Sequence, residues 1–586
     1  MSMRLTAVLA AGAILAGCAT TPPAGPFQDL VADYEAYQLA SNPIRAGREG
    51  DAEAARRWPD RSPDAVAAGN AAMAGFLERL QAIDPTGLDA GAQVSHGILE
   101  YVLRSEVELA PFESERMPFL NDSGFHTVPL QVATNTRIRT VADGEAWLAR
   151  LQALPAWLDE QVAWMRRGLE SGWTQPAHIL PGVADQMRGI ASAAPEDSEL
   201  FTPLRELPAA LPEAERTRLQ AEGVAVLHDQ VLPAYGEVLA FFEGEYMAAP
   251  RASVGISEVP GGRAYYEALV RFHTTLNQTP EQVHQAGLAE VARIRAEMES
   301  VIAETGFEGS FAEFLDFLRT DPQFYAESEE LLLMHAARLA KLADDQMPRF
   351  FGKLPRLPYG VRPVPASIAP TYTTGRYWGG NLEQGIAGGY LVNTYALDQR
   401  PLYELPALTV HEGVPGHHHQ ISLAQELEGV PDFRRRTYIT AFGEGWGLYT
   451  ENLAIDMGIY RTPYEHFGRL TFEMWRACRL VVDTGIHYYG WTVERAEACL
   501  LENSALAPLN VRTEVARYVS WPGQALAYKT GEMLMRRLRR DAEEAIGQGF
   551  DIRAFHDHLL KDGAMPLSAL EAKMRAWIIE RQGPDI

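Results

Sequence analysis

The sequence predicts a mainly α-helical protein of two helical lobes, with a small β-sheet beside the helix that carries its chemistry. Three observations lead there. Apolar residues recur at three-to-four spacing over most of the 586 residues, as in helices with one buried face. That rhythm stops between about Leu354 and Arg400, where prolines at 355, 358, 363, 365 and 370 give way to crowded glycines and aromatics. It resumes near Leu402 and runs up to a His-Glu pair, His411-Glu412.

The first residues read as an export signal rather than fold. Arg4 is a short positive region, and Leu5 to Ala16 is apolar but too short to span a bilayer. Leu15-Ala16-Gly17-Cys18 follows, then Ala19-Thr20-Thr21-Pro22-Pro23. This resembles the bacterial lipobox, which implies a signal peptide over 1–17, lipid on Cys18, a linker over 18–25 and an otherwise soluble domain. Ala19 rather than Asp after the cysteine favours outer-membrane anchoring in a Gram-negative cell, with the domain in the periplasm.

Helices are then expected at Ser62 to Ile83, Gly144 to Gly168, Pro280 to Thr305 and Ser328 to Met347. Thr279-Pro280 is a natural start, a capping hydroxyl before a first-turn proline. The Pro260-Gly261-Gly262 turn divides an N-terminal helical lobe, 26–260, from a C-terminal lobe, 261–586. Gly389 to Tyr395 has strand composition.

A net charge of −25 argues against nucleic acid, which needs a basic face to displace phosphate counterions, and against a broad grip on anionic lipid. Membrane contact is expected only through the lipid anchor. Cys478 and Cys499 are the only cysteines after Cys18. They could pair or stay as buried thiols, but they form no disulfide framework.

The chemistry concentrates in His411-Glu412-Gly413-Val414-Pro415-Gly416-His417-His418-His419-Gln420. Histidines supply neutral nitrogen ligands, and an adjacent carboxylate can take a proton from water beside a metal. The familiar spacing puts the second histidine four residues after the first, but here that position is Pro415. In a regular helix His417 would lie about 240° around from His411, and His418 roughly 10 Å further along the axis. Pro415 forbids a regular helix, so a kink or bulge at Val414-Pro415-Gly416 is expected to bring His417 to His411, with His418 as the alternative. Glu444 and Glu451 lie seven residues apart on one face of a glycine-lined helix. Burying that acidic pair calls for a cation. Without one, the histidines would be a solvated turn and the glutamates surface residues.

On these residues the chain resembles the bacterial family called domain of unknown function 885. His411 to His418, Glu444-Gly445-Trp446, Asp483-Thr484-Gly485-Ile486-His487 and Pro522-Gly523-Gln524-Ala525 carry the resemblance, which is densest from Tyr265 to Arg540. At longer range it resembles the gluzincin metallopeptidases, especially the thimet-oligopeptidase group. That resemblance implies a zincin-like, two-lobed helical architecture and one Zn2+ per chain. It carries the third ligand to Glu444, first glutamate of a Glu-x6-Glu-Asn segment ending at Asn452, and leaves Glu451 as a supporting or alternative ligand. This chain departs from gluzincins by two extra residues after Glu412.

The same resemblance makes Tyr528, in Gln-x3-Tyr spacing with Gln524, the donor to an oxyanion. His487, oriented by Asp483, is a second donor. Arg476 and Arg479, on the same helix, read rather as a buried ion network. The strand before the metal helix would bind an extended peptide along its edge, with Tyr390, Asn393 and Gln524 as substrate contacts. The expected function is hydrolysis of short peptides, with Glu412 as general base. The alternatives are another metal-dependent amide hydrolase and a non-catalytic, lipid-anchored binding protein.

Overall fold

The computed structural model describes residues 25–366, 368–382 and 385–582. The export segment and Cys18 lie outside them. The fold is mainly helical with one three-stranded sheet. Among the described residues no helix is long and apolar enough to cross a membrane.

Local chemistry sets the helix starts. Ser62 accepts from the amide of Ala65 at the head of α1, Pro63–Gln81. The predicted helix from Gly144 to Gly168 is instead two, α2 (Val141–Gln152) and α3 (Leu154–Ser171). Pro155 lacks an amide proton and its ring would meet the preceding turn, so it starts the second helix rather than continuing the first. α4, Pro280–Thr305, begins as expected, with Thr279 and Gln282 capping each other, and stops at Gly306 in the left-handed region. α5 spans Glu329–Phe350.

The irregular stretch forms β1 (Tyr359–Pro363), β2 (Gly375–Trp378) and β3 (Gly388–Val392). β3 pairs parallel with β1 and antiparallel with β2, so it is the central strand. Its five residues are all buried, whereas β2 alternates buried and exposed, as a strand with one solvated face does. The expectation that the strand at 389–395 presents an edge to substrate is therefore corrected. The sheet's edges are β1 and β2.

Six further helices frame the His-Glu segment: α6 (Leu405–Glu412), α7 (His417–Gln425), α8 (Thr440–Asp456), α9 (Pro463–His487), α10 (Pro508–Ser520) and α11 (Ala527–Ile546). α9 is buried along nearly its whole length. A charge cluster that sequence reading missed fixes it. The Lys529 ammonium, fully buried on α11, lies 3.0 Å from Glu290 on α4, 2.8 Å from Glu473 on α9 and 2.7 Å from Glu532. Glu473 also takes Arg469 at 2.6 Å and Arg293. One apolar core runs from Phe27 to Ile578. Polar contacts cross the turn at residue 260, including Gln175 Nε2 donating to the Ser520 carbonyl at 3.1 Å.

Candidate functional site

The helix carrying His411 does not kink or bulge. It ends at Glu412, and a new helix begins at His417. Gly413 to Gly416, including the cis Val414–Pro415 peptide, turn the chain between them. The turn is tight: the Gly416 amide donates to the Val410 carbonyl at 3.0 Å, and a Cβ on Gly416 would fall 2.0 Å from the His411 carbonyl oxygen. Only glycine fits there.

Doubling back brings His417 to His411, with ring centroids 4.8 Å apart and planes at 87°. The Nε2 atoms of both rings lie 3.4 Å from Glu444 Oε2 on α8. Ligand atoms of His411, His417 and Glu444 all fall within 4.8 Å of one another. Zinc bonds of about 2.0–2.1 Å in tetrahedral array put neighbouring ligand atoms about 3.3 Å apart, and the two His–Glu444 separations have that spacing. Glu451, two turns after Glu444, places Oε1 2.8 Å from His411 Nδ1. A carboxylate placed this way fixes the tautomer and orientation of the ring it holds. His418 points away, its ring nitrogens 2.9 Å from the Leu357 carbonyl and 3.0 Å from the Tyr377 hydroxyl, so it is not part of the donor set.

α8 is pressed against this cluster. The Trp446 indole donates to the Pro415 carbonyl at 2.8 Å, and Thr450 Oγ1 to the Val410 carbonyl at 3.2 Å. Gly447 faces the His411 ring so closely that a Cβ would lie 2.7 Å from Cε1.

Burial disfavours a charge on His411, yet the carboxylates of Glu444, Glu451 and Glu412 outweigh it and raise its pKa to about 9. Burial likewise opposes ionisation of Glu444, but the facing His417 and His411 rings hold its carboxyl well below the ordinary range. Both perturbations mark a cluster that attracts positive charge.

The cluster opens onto a cavity of about 100 Å³. Glu412 lines it, and its Oε2 accepts from the backbone amide of Tyr377 on β2 at 2.7 Å. Thr374, Gly375 and Arg376 form the β2 side, Leu408 lies on α6, and Tyr528 comes from the first turn of α11. α9 contributes Phe472, Trp475, Arg476 and Arg479, three and four residues apart on one face.

Other predicted site residues lie elsewhere. His487 is fully buried, with Nδ1 accepting from the Ile256 amide at 3.0 Å and Nε2 donating to the Tyr518 carbonyl at 2.9 Å. Both nitrogens are spent on backbone, so it is a packing histidine and not an oxyanion donor. Asp483 accepts instead from the Tyr266 hydroxyl at 2.6 Å and the Gly523 amide at 3.0 Å. Tyr390 is fully buried on the central strand, its hydroxyl 3.3 Å from Thr409 Oγ1. Asn393 braces the preceding loop through the carbonyls of Ala369, Tyr372 and Thr373. Gln524 accepts from Arg517 Nη1 at 2.8 Å and stands behind that arginine. Tyr390, Asn393 and Gln524 are thus corrected from substrate contacts to scaffold. Cys478 and Cys499 are free thiols.

Sequence reading also missed pocket residues: Asn121 and Asp122 from the N-terminal half, Arg376 on β2, and Glu514 and Arg517 on α10. Only the last pair had a local signal, a charged i, i+3 pair on the otherwise apolar face formed by Val511, Val515 and Tyr518.

The molecule is thus a mainly helical protein with a buried His-His-Glu cluster beside a small sheet. It belongs to the bacterial proteins of unknown function grouped as DUF885, whose pattern matches residues 43–574. A crystal structure of a "putative lipoprotein" from Colwellia psychrerythraea superposes with a TM-score of 0.85 at 26% identity, covering 95% of this chain and 100% of that one. A "putative lipoprotein of unknown function" from Shewanella oneidensis superposes with a TM-score of 0.72 at 17% identity, covering 94% and 100%. No functionally curated protein matches the chain.

Proposed function

We propose that this protein is a zinc-dependent peptidase acting on short peptides, with the two-lobed, zincin-like organisation that such an activity implies. One observation carries the reading: two histidine Nε2 atoms 3.4 Å from a single Glu444 oxygen, with Glu412 lining the same cavity. Bound zinc would supply a Lewis acid that acidifies a water molecule and polarises the scissile carbonyl. His411, His417 and Glu444 would hold it, and Glu451 would keep His411 in the right tautomer. Glu412 has Oε2 tied to the Tyr377 amide. Its Oε1 takes the proton of the attacking water and passes it to the leaving amine. The Tyr528 hydroxyl donates to the oxyanion. The lipobox at Cys18 and the two similar structures' names favour an exported, lipid-anchored protein.

The test joins metal analysis to peptide turnover for wild type, His411→Ala, His417→Ala, His418→Ala and Glu412→Gln. About one zinc per chain is expected, lost in His411→Ala and His417→Ala and kept in His418→Ala. Glu412→Gln is expected to keep zinc and lose turnover by at least about 100-fold, as for removal of a general base. Full turnover by Glu412→Gln would refute the mechanism. Hydrolysis of small amides but no peptide would replace peptidase by amidase.

A further inference from the structure

Four arginines and four carboxylates line the cavity, but on the α9–α10 wall three of the arginines, Arg476, Arg479 and Arg517, face it with Glu514 as the one lining carboxylate bonded to any of them. Arg479 and Arg517 share one partner, Glu514 Oε2, at 2.9 and 3.0 Å. Arg476 is 4% exposed. Its nearest carboxylate oxygen among the described residues, Glu451 Oε1, lies 3.8 Å off and already bonds His411 at 2.8 Å. Nη1 reaches only the Phe472 carbonyl, at 3.5 Å, too long for a good bond. Buried nitrogens without a partner remain on all three guanidiniums: Arg476 Nε, Arg479 Nη1 and Arg517 Nε. Aromatic faces support two of them, with Arg476 4.1 Å over Trp475 and Arg479 4.1 Å over Tyr528.

A buried guanidinium with no anion is costly, and breaking a buried pair costs several kcal/mol. Here Arg476 has no hydrogen-bonded anion, and Arg479 and Arg517 divide a single carboxylate between them. A ligand anion would complete the set, and guanidiniums match the planar carboxylate with paired N–H···O bonds. The wall also adjoins the reacting groups. Glu451 alone separates Arg476 from His411, and Arg479 lies against Tyr528.

We propose that Arg476, Arg479 and Arg517 form a subsite for a substrate carboxylate, so that the bond cleaved lies within a residue or two of that carboxylate. This rests on the peptidase reading and specifies its substrate. The carboxylate is either a peptide's free C-terminus or an acidic side chain next to the scissile bond.

The experiment compares three acetylated peptides of one sequence: the free acid, its C-terminal amide, and that amide with glutamate replacing one residue beside the scissile bond. Wild type is expected to favour a carboxylate-bearing peptide over the plain amide by about 100-fold in kcat/KM, the scale of charge-assisted hydrogen bonds. Which carboxylate peptide is preferred identifies the source. Arg476→Gln is expected to narrow the preference to about 3-fold, chiefly through KM, and Arg476→Lys to recover part of it. Calorimetric binding of the same peptides to the Glu412→Gln protein keeps the two readings separable. Tighter binding of the carboxylate peptides supports the subsite even without turnover. Turnover or binding that ignores the carboxylate overturns the subsite and leaves the peptidase reading standing.

Discussion

Replacing Gly447 by alanine is expected to disable the proposed zinc site without changing any of its proposed ligands. The added methyl would stand 2.7, 2.8 and 3.0 Å from Cε1, Nε2 and Nδ1 of His411. Comfortable heavy-atom contacts begin at about 3.5 Å, so ring or helix must retreat by about 0.5–1 Å. The ring has little freedom, because Glu451 holds its other nitrogen at 2.8 Å. Metal–ligand distances tolerate only about 0.2 Å. We expect zinc affinity to fall about 10- to 100-fold, the range for changes behind a ligand, with an overpacking cost of about 1–3 kcal/mol in stability. Zinc competition against a chelator measures the first, and urea unfolding the second. Gly236→Ala is the control, since nothing lies within 4 Å of its new methyl. Wild-type zinc affinity in Gly447→Ala, with stability no lower than in the control, would refute the idea that α8 sets the His411 ring.

Three further outcomes follow from buried charges. Glu451→Gln should weaken zinc binding about 10-fold by removing the charge behind His411, and unchanged affinity in the same competition would exclude that role. Lys529→Met removes the cation that Glu290, Glu473 and Glu532 share and leaves them only Arg293, Arg469 and Arg536, so urea unfolding should show a loss of about 3 kcal/mol, the low end for a broken buried pair; a loss below about 1 kcal/mol would make the cluster incidental. Asp483 gives a pH signature. Burial raises its pKa from 3.8 to about 7, against hydrogen bonds from Tyr266 and Gly523 and the charge of Arg517. Between those values the native state holds a proton that the unfolded chain has lost, so this group's contribution falls as pH rises, by about 4 kcal/mol in all, and levels off above about 7. Asp483→Asn should remove that slope from a pH series of unfolding midpoints, and an unaltered slope would place the proton elsewhere.

What could be read from the sequence was what depends on near neighbours. The Thr279 cap, the helical periodicities, the meeting of His411 with His417 across Pro415, and the Glu444–Glu451 spacing are all local. His417 could be preferred over His418 because Pro415 forbids the regular helix on which either would fail. What escaped depends on distant partners. Gly388 to Val392 has the same composition at an edge or in the middle of a sheet, and only pairing on both sides makes it central. His487 sits at good helical spacing from Asp483, yet amide and carbonyl groups from residues 256 and 518 consume both its nitrogens. The partners of Lys529 and of the pocket arginines come from separate helices, so no window of sequence reveals them.

The contact between Glu412 and the amide of Tyr377 has a consequence for substitution at 377. The donor is main chain, so this contact itself asks only that residue 377 not be proline, whereas the buried Tyr377 side chain answers to His418. A change of side chain at 377 would therefore disturb the packing on His418 and leave the aim of Glu412 intact. Proline, which has no amide hydrogen to give, is the one substitution that would expose the dependence.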